Sequence, residues 1–237
     1  MTPSQVQGEH DALRQRIEAV EARVQAAALA AGRDPAEVTI TAVSKTFPRE
    51  MIDQAYAIGL STFGENRVQE ARQKFTGELP AGMRLNMIGH LQTNKVRQAL
   101  ALFDRIESVD RPSLVEALER ESERLDARLS VLLQVNIGRE PQKSGCLPED
   151  AAELARAIEQ SPHLRLDGLM GIAPLVESAE LARPYFRELR ELRDYLRDGG
   201  VESDLAVLSM GMSGDLEAAI AEGATHVRVG SAIFGTR

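Results

Sequence analysis

A lysine closing an apolar run is the first residue in this chain with chemistry to offer. The segment VTITAVSK, residues 38–45, ends on Lys45 and runs on into Thr-Phe-Pro. A lysine whose stem rises from a packed wall has its ammonium stripped of water. That lowers its pKa toward the range where a free amine condenses with a carbonyl. The same residue on an open loop keeps its head in water, so Lys45 alone does not separate an imine-forming amine from a solvated charge.

The second chemical feature lies near the other end, in LSMGMSGDLEAAIAEGATHVRVGSAIFG. Ser209 to Gly214 read as a small-residue turn between a strand and a helix, presenting backbone N–H groups and hydroxyls to an anion. Gly230 and Ser231 form a second such turn after VRV. Glycines also make tight turns for their own sake. Two of these turns at the ends of the last two strands of a barrel, however, are where phosphate sites of barrels are commonly built. Arg228 precedes the second turn by two residues. It could pair with phosphate, form a structural ion pair, or face a ring nitrogen, whose protonation a fixed guanidinium would disfavour. Spacing leaves these three roles open.

Other candidates carry less. His10, His90, His163 and His226 have no i,i+4 partner and no neighbouring cysteine, which argues against zinc. Cys146, in QKSGCLPED, has no evident base beside it and reads as an inert loop or packing thiol. No phosphate-loop motif, no GxGxxG at the first strand and no GxSxG elbow occur.

The elements that must position these residues follow a regular rhythm. Apolar runs stand at 38–45, 61–66, 84–90, 105–110, 129–138, 164–171, 204–211 and 225–231. Helical stretches are expected between them, at about 49–58, 67–75, 92–101, 111–126, 148–160, 178–198 and 214–222. Pro184 should make the 178–198 helix start late or kink. Eight strands alternating with helices, several apolar throughout, predict a (β/α)8 TIM barrel forming a single domain over residues 1–237. Residues 10–32 form an additional N-terminal amphipathic helix, expected to cover one end of the barrel, with Leu13, Ile17, Val20 and Val24 on its apolar stripe. The chain stops seven residues past Gly230, so no C-terminal β domain is expected. Lys45, Glu65, Asn66, Gly89, His90, Asp110, Asn136, Met170, Ser209, Arg228 and Gly230 all fall at or just beyond strand C-termini. In a barrel these ends surround one mouth, where active sites form.

Bulk composition narrows the classes further. A net charge of -8 and only 4% aromatic residues with no Trp argue against nucleic acid as a partner. No apolar run approaches the roughly 18 residues of a membrane span, and the N-terminus is too polar for a secretory signal. A lone cysteine excludes an intrachain disulfide and suits a reducing, cytoplasmic setting.

AVSKTFP, FGENRVQE, IGHLQTNK, VNIGREPQKSG, GLMGI and the long C-terminal segment, taken in order, resemble the pyridoxal phosphate homeostasis proteins. The likeness runs from about residue 38 to the end. It implies an alanine racemase-like barrel of fold type III with pyridoxal 5'-phosphate (PLP) as cofactor. Position by position, it implies that Lys45 is the Schiff-base lysine. Asn66, Ser209, Met212, Ser213, Arg228, Gly230 and Ser231 would contact the cofactor, and Met170 would lie close to its ring. Asn86 departs from the family pattern, which has histidine there.

The resemblance also implies a protein that loads and releases PLP without an established reaction, with PLP-dependent apo-enzymes as acceptors; the lack of an expected second domain points to a monomer. A racemase needs acid–base groups on both faces of its substrate, usually completed by a further domain, so an amino-acid racemase or related PLP enzyme is the alternative. A lyase using Lys45 without PLP is a third. Lys143, in the KSG segment, is either a second amine receiving PLP in transit or a surface lysine, with the surface role favoured.

Overall fold

Each of the eight apolar runs contains a strand. The computed structural model describes residues 3–235. The strands are β1 (Thr39–Val43), β2 (Thr62–Glu65), β3 (Arg84–Met87), β4 (Arg105–Val109), β5 (Leu129–Val135), β6 (Leu164–Gly171), β7 (Val207–Met212) and β8 (His226–Val229). They pair in sequence order, all parallel, and β8 closes on β1, where Ala42 faces Val229. The helices are α1 (Pro3–Ala30), α2 (Arg49–Ile58), α3 (Val68–Lys74), α4 (Val96–Leu100), α5 (Pro112–Arg124), α6 (Ala151–Glu159), α7 (Ala179–Asp198), α8 (Leu216–Ala221) and α9 (Ser231–Phe234). This is the (β/α)8 barrel expected from the rhythm, and the described residues contain no second sheet.

Alternation along the strands sorts the side chains into two sets. Phe63, Leu85, Ile106, Leu133, Leu169, Leu208 and Val227 are fully buried in the cluster shared with the helices. Leu132, Met170 and Val207 form a separate small cluster with Ile172. The remaining barrel interior is polar, with Thr41, Asn86, Glu107, Gln134, Ser209 and Arg228 all buried.

The N-terminal helix does not cover a barrel end. Its stripe, Leu13, Ile17, Val20, Val24 and Ala28, is buried, and it packs on α8, α9 and α2. The reason is topological. The helix after β8, α9, has only 4 residues, which leaves the flank between α8 and α2 open, and α1 fills it. Arg16 Nε donates to Ile233 O at 2.6 Å, and Arg23 Nη2 donates to Ser213 O at 2.9 Å, so α1 also ties down the turns after β7 and β8.

Pro184 neither delays α7 nor ends it, because α7 starts at Ala179 and contains the proline. At the sixth position its missing N–H forfeits only the bond to Glu180 O near the frayed end. The β7 strand starts three residues later than the apolar run suggested and continues through Met212. Gly211 allows this. At φ 91° its missing Cβ would lie 2.5 Å from Ala219 Cβ, and the register against β8 shifts between Ser209 and Met212.

Candidate cofactor site

Lys45 lies two residues beyond the end of β1, in a turn, and its side chain is exposed. The sequence-based picture of a desolvated lysine on the strand itself is therefore corrected, because the chain leaves the barrel wall at Ser44. Among the described residues Lys45 Nζ has no hydrogen bond or ion pair, so the amine is unengaged at the mouth. The ring of Phe47 stacks on Phe234 with centroids 4.9 Å apart, pinning this turn to α9.

The two small-residue turns stand next to it. Ala42 pairs with Val229 across β1 and β8, and Met212 pairs with Arg228 across β8 and β7. The chain ends beyond these pairs therefore share one sector of the rim. Within the described residues no hydrogen bond occupies the backbone N–H groups of Ser213, Gly214, Ser231 or Ala232. A Cβ built on Gly214 would meet nothing within 4 Å. Free N–H donors from two adjacent turns are what an anionic group requires. The Met212 N–H is already taken, donating to Asp215 Oδ1 at 2.6 Å. Asp215 thus folds back on the turn instead of capping α8. Burial pushes its carboxyl up, while the Met212 N–H and Arg228 oppose this.

Arg228 is 5% exposed inside the barrel. Its Nη1 donates to Ser209 O at 2.6 Å and Ser209 Oγ at 2.8 Å, and its Nη2 donates to Gly171 O at 2.8 Å. A guanidinium has five N–H donors, so Nε and one Nη2 hydrogen are left over by these contacts. No direct ion pair to Arg228 forms among the described residues, which removes one of its three roles. Burial pulls its pKa below the usual arginine value, with the Glu107 and Asp215 carboxylates opposing the shift.

Ser209 is not in the turn, as its sequence position suggested, but within β7 and fully buried. Its hydroxyl donates to Glu107 Oε2 at 2.6 Å while accepting from Arg228. Asn86 Nδ2 donates to the other Glu107 oxygen at 2.8 Å. Sequence reasoning missed Glu107. Its only signal was a charged residue inside the strand-like run RIESVD. Met170 is fully buried on Leu132 and Val207, forming the floor beneath the mouth.

Asn66 follows β2, the barrel neighbour of β1, and its Oδ1 is buried and unpartnered. Gly89 permits this, since a Cβ there would sit 2.4 Å from Asn66 O. A cavity of about 220 Å³ opens beside Asn66 between Gly89, His90, Gln134, Asn136 and Lys143. Lys143 Nζ is held by Glu140 and by Ala173 O, as befits a structural lysine. A larger hollow of about 640 Å³ lies at the other barrel end, against Arg165, Asp167 and Val207, and contains none of the expected site residues. Arg165 and Asp167 there already pair with each other, Arg165 Nε to Asp167 at 2.6 Å, and barrel active sites form at the strand C-termini, so the mouth is the better site. Cys146 is buried against the core, and burial pushes its thiol up to about 12.

Residues 11–237 match the family described as alanine racemase, N-terminal domain. The pyridoxal phosphate homeostasis protein of Pseudomonas aeruginosa is 46% identical over 225 residues, covering 94% of this chain and 95% of that protein. The protein of the same name from Aquifex aeolicus is 41% identical, covering 94% and 97%. Among solved structures, PipY of Synechococcus elongatus with PLP bound has a TM-score of 0.81 at 35% identity, covering 94% of this chain and all of that one. D-threonine aldolase from Filomicrobium marinum shares the fold at TM-score 0.74 and 17% identity, and this chain spans 60% of its length.

Proposed function

We propose a function from one established premise: the chain belongs to the alanine racemase N-terminal domain family. It is a PLP-binding protein that acts in intracellular PLP homeostasis, holding the cofactor as a Schiff base on Lys45. The relatives named for PLP homeostasis and the PLP-bound PipY support this reading. The observation that carries it is the unengaged Lys45 amine beside the free N–H groups of Ser213, Gly214, Ser231 and Ala232.

The site comprises Lys45, Asn66, Met170, Ser209, Met212, Ser213, Arg228, Gly230 and Ser231 within one barrel domain. When bound, the cofactor supplies an aldehyde for the lysine and a ring able to withdraw electrons. The turns at Ser213 and Ser231 would hold the phosphate by backbone N–H groups. Arg228, collared by the carbonyls of Ser209 and Gly171, would present its charge to the ring nitrogen and disfavour protonating it. Ser209 acts through Arg228, and Met170 closes the floor. A ring held unprotonated would be a weak electron sink, which would favour storage of the cofactor over amino-acid chemistry.

We place the protein in the cytoplasm as a monomer that passes PLP to apo-enzymes. The absence, among the described residues, of a helix long and apolar enough to cross a membrane accords with that location, as does the single buried thiol. Borohydride reduction after PLP addition, followed by peptide mass mapping, tests the assignment. Label on Lys45 is expected, and label confined to other lysines defeats it.

A further inference from the structure

The turn that carries Lys45 is strained, and a buried cluster grips it on both sides. Thr46 has φ 68°, a left-handed conformation that a β-branched residue keeps only when its surroundings hold it. Its N–H donates to the Glu70 carboxylate on α3. On the other side of Lys45, Ser44 O accepts from Lys74 Nζ at 2.8 Å. The same Nζ donates to Glu65 Oε1 at 2.6 Å and Glu70 Oε1 at 3.2 Å, which uses all three ammonium donors. Ser44 Oγ adds a bond to Glu65 Oε1 at 2.7 Å. The Lys74 side chain is 8% exposed and that of Glu65 is fully buried, so the cluster sits inside the wall between β2 and α3.

We propose that Lys74 is the positioning residue for Lys45: one buried ammonium holds Ser44 O directly and, on the other side, the Glu70 carboxylate that binds the Thr46 N–H, and so aims the Lys45 amine into the mouth. The proposal rests on reading Lys45 as the cofactor lysine. Geometry separates the two lysines by role. Lys45 is exposed and unengaged, whereas every Lys74 donor is spent on the turn and its supports. Without the Lys74 charge, Glu65 and Glu70 lose the ammonium they share, Ser44 O loses its donor, and the Glu70 carboxylate that holds the Thr46 N–H loses one of its anchors. Lys45 then samples many directions, and imine formation loses the advantage of a fixed approach.

The test compares the full chain with Lys74→Met, Lys74→Arg and Glu70→Ala. One readout is the rate at which borohydride traps PLP on Lys45, measured by quenched time points and peptide mapping. The second is affinity for pyridoxine 5'-phosphate, which has the ring and phosphate but no aldehyde and therefore reads the rest of the site. Trapping on Lys45 should slow roughly tenfold to a hundredfold in Lys74→Met. Affinity for the aldehyde-free analogue should stay within about twofold, because the phosphate turns and Arg228 are untouched. Lys74→Arg, which keeps the charge, should recover part of the rate. Glu70→Ala, which keeps Lys74 but frees Thr46, should slow trapping too, and it carries the test if Lys74→Met does not fold. Trapping at the wild-type rate in Lys74→Met or Glu70→Ala overturns the proposal. So does a parallel loss of analogue affinity, which would mark a structural role only. Failure of the wild-type chain to trap PLP on Lys45 is a separate outcome that defeats the cofactor assignment itself.

Discussion

Ser209 donates its hydroxyl proton to Glu107 at 2.6 Å, and the same oxygen accepts from Arg228 at 2.8 Å. This relay puts a buried carboxylate one hydroxyl away from a buried guanidinium, in a barrel interior where neither is solvated. Asn86 completes it by donating to the second Glu107 oxygen. Asn86 thus has a physical task in this chain, which is to satisfy the acceptor that offsets the Arg228 charge. An amide suits that task because it always has an N–H to give, whatever the pH.

Glu107→Gln and Ser209→Ala should each lower stability by about 1–3 kcal/mol, since each leaves a buried polar group without its partner. Because both cut one relay, the double variant should cost clearly less than the sum of the two. Urea unfolding of the four proteins measures this. Strict additivity would show that the contacts do not act as a unit.

Arg228→Lys should weaken PLP retention by about tenfold or more while the protein still folds. A lysine ammonium is a point charge that cannot span the carbonyls of Ser209 and Gly171 as the planar fork does. Titration of the near-visible absorbance of bound PLP provides the comparison. Wild-type affinity in the variant would show that charge alone is needed there.

Acid should destabilise the fold partly through Glu222. Burial works against its charge, yet Arg187 and Arg183 hold its carboxyl below the usual glutamate range. A depressed carboxyl contributes stability above the unfolded pKa, lost as pH falls through the folded one. Glu65 has the opposite sign. Burial raises it above the ordinary glutamate value despite Lys74 and Ser44, so its contribution is present at low pH and is lost as pH rises through the raised folded value. Thermal melts across this range should show a shallower acid limb for Glu222→Gln and no such flattening for Glu65→Gln. Identical acid limbs in wild type and Glu222→Gln would refute the assignment.

Cys146 should resist thiol reagents in the native protein at mildly alkaline pH. Burial pushes its pKa to about 12, with Asp150 and Asp110 adding to the shift, so almost no thiolate exists and access is blocked. Colorimetric thiol titration should read near zero until denaturant is added, then one equivalent. Rapid native labelling would contradict the buried placement.

Gly89→Ala should destabilise by about 1–3 kcal/mol, because the new methyl would press on the Asn66 backbone. It should also reduce PLP affinity if Asn66 moves with it. Unfolding midpoints and the absorbance titration together decide this, and an unchanged midpoint would mean the mouth yields without cost.

The sequence by itself determined the barrel. Eight apolar runs spaced by amphipathic stretches admit few parallel arrangements, and α2 spans Arg49–Ile58 as its periodicity predicts. It also placed Lys45, Arg228 and the two small-residue turns at the same end, because strand C-termini share one rim in any such barrel. Local pattern could not tell that α9 would be a stub whose flank α1 fills, since that depends on which helices leave a gap. Nor could it tell that Ser209 lies inside β7 bonded to Glu107, 102 residues away, or that Lys74 reaches back to Ser44, 30 residues away. Those contacts arise only when the barrel closes and brings distant strands and helices side by side. Buried charges then choose partners by proximity and lost solvation, and neither is written in the local order of residues.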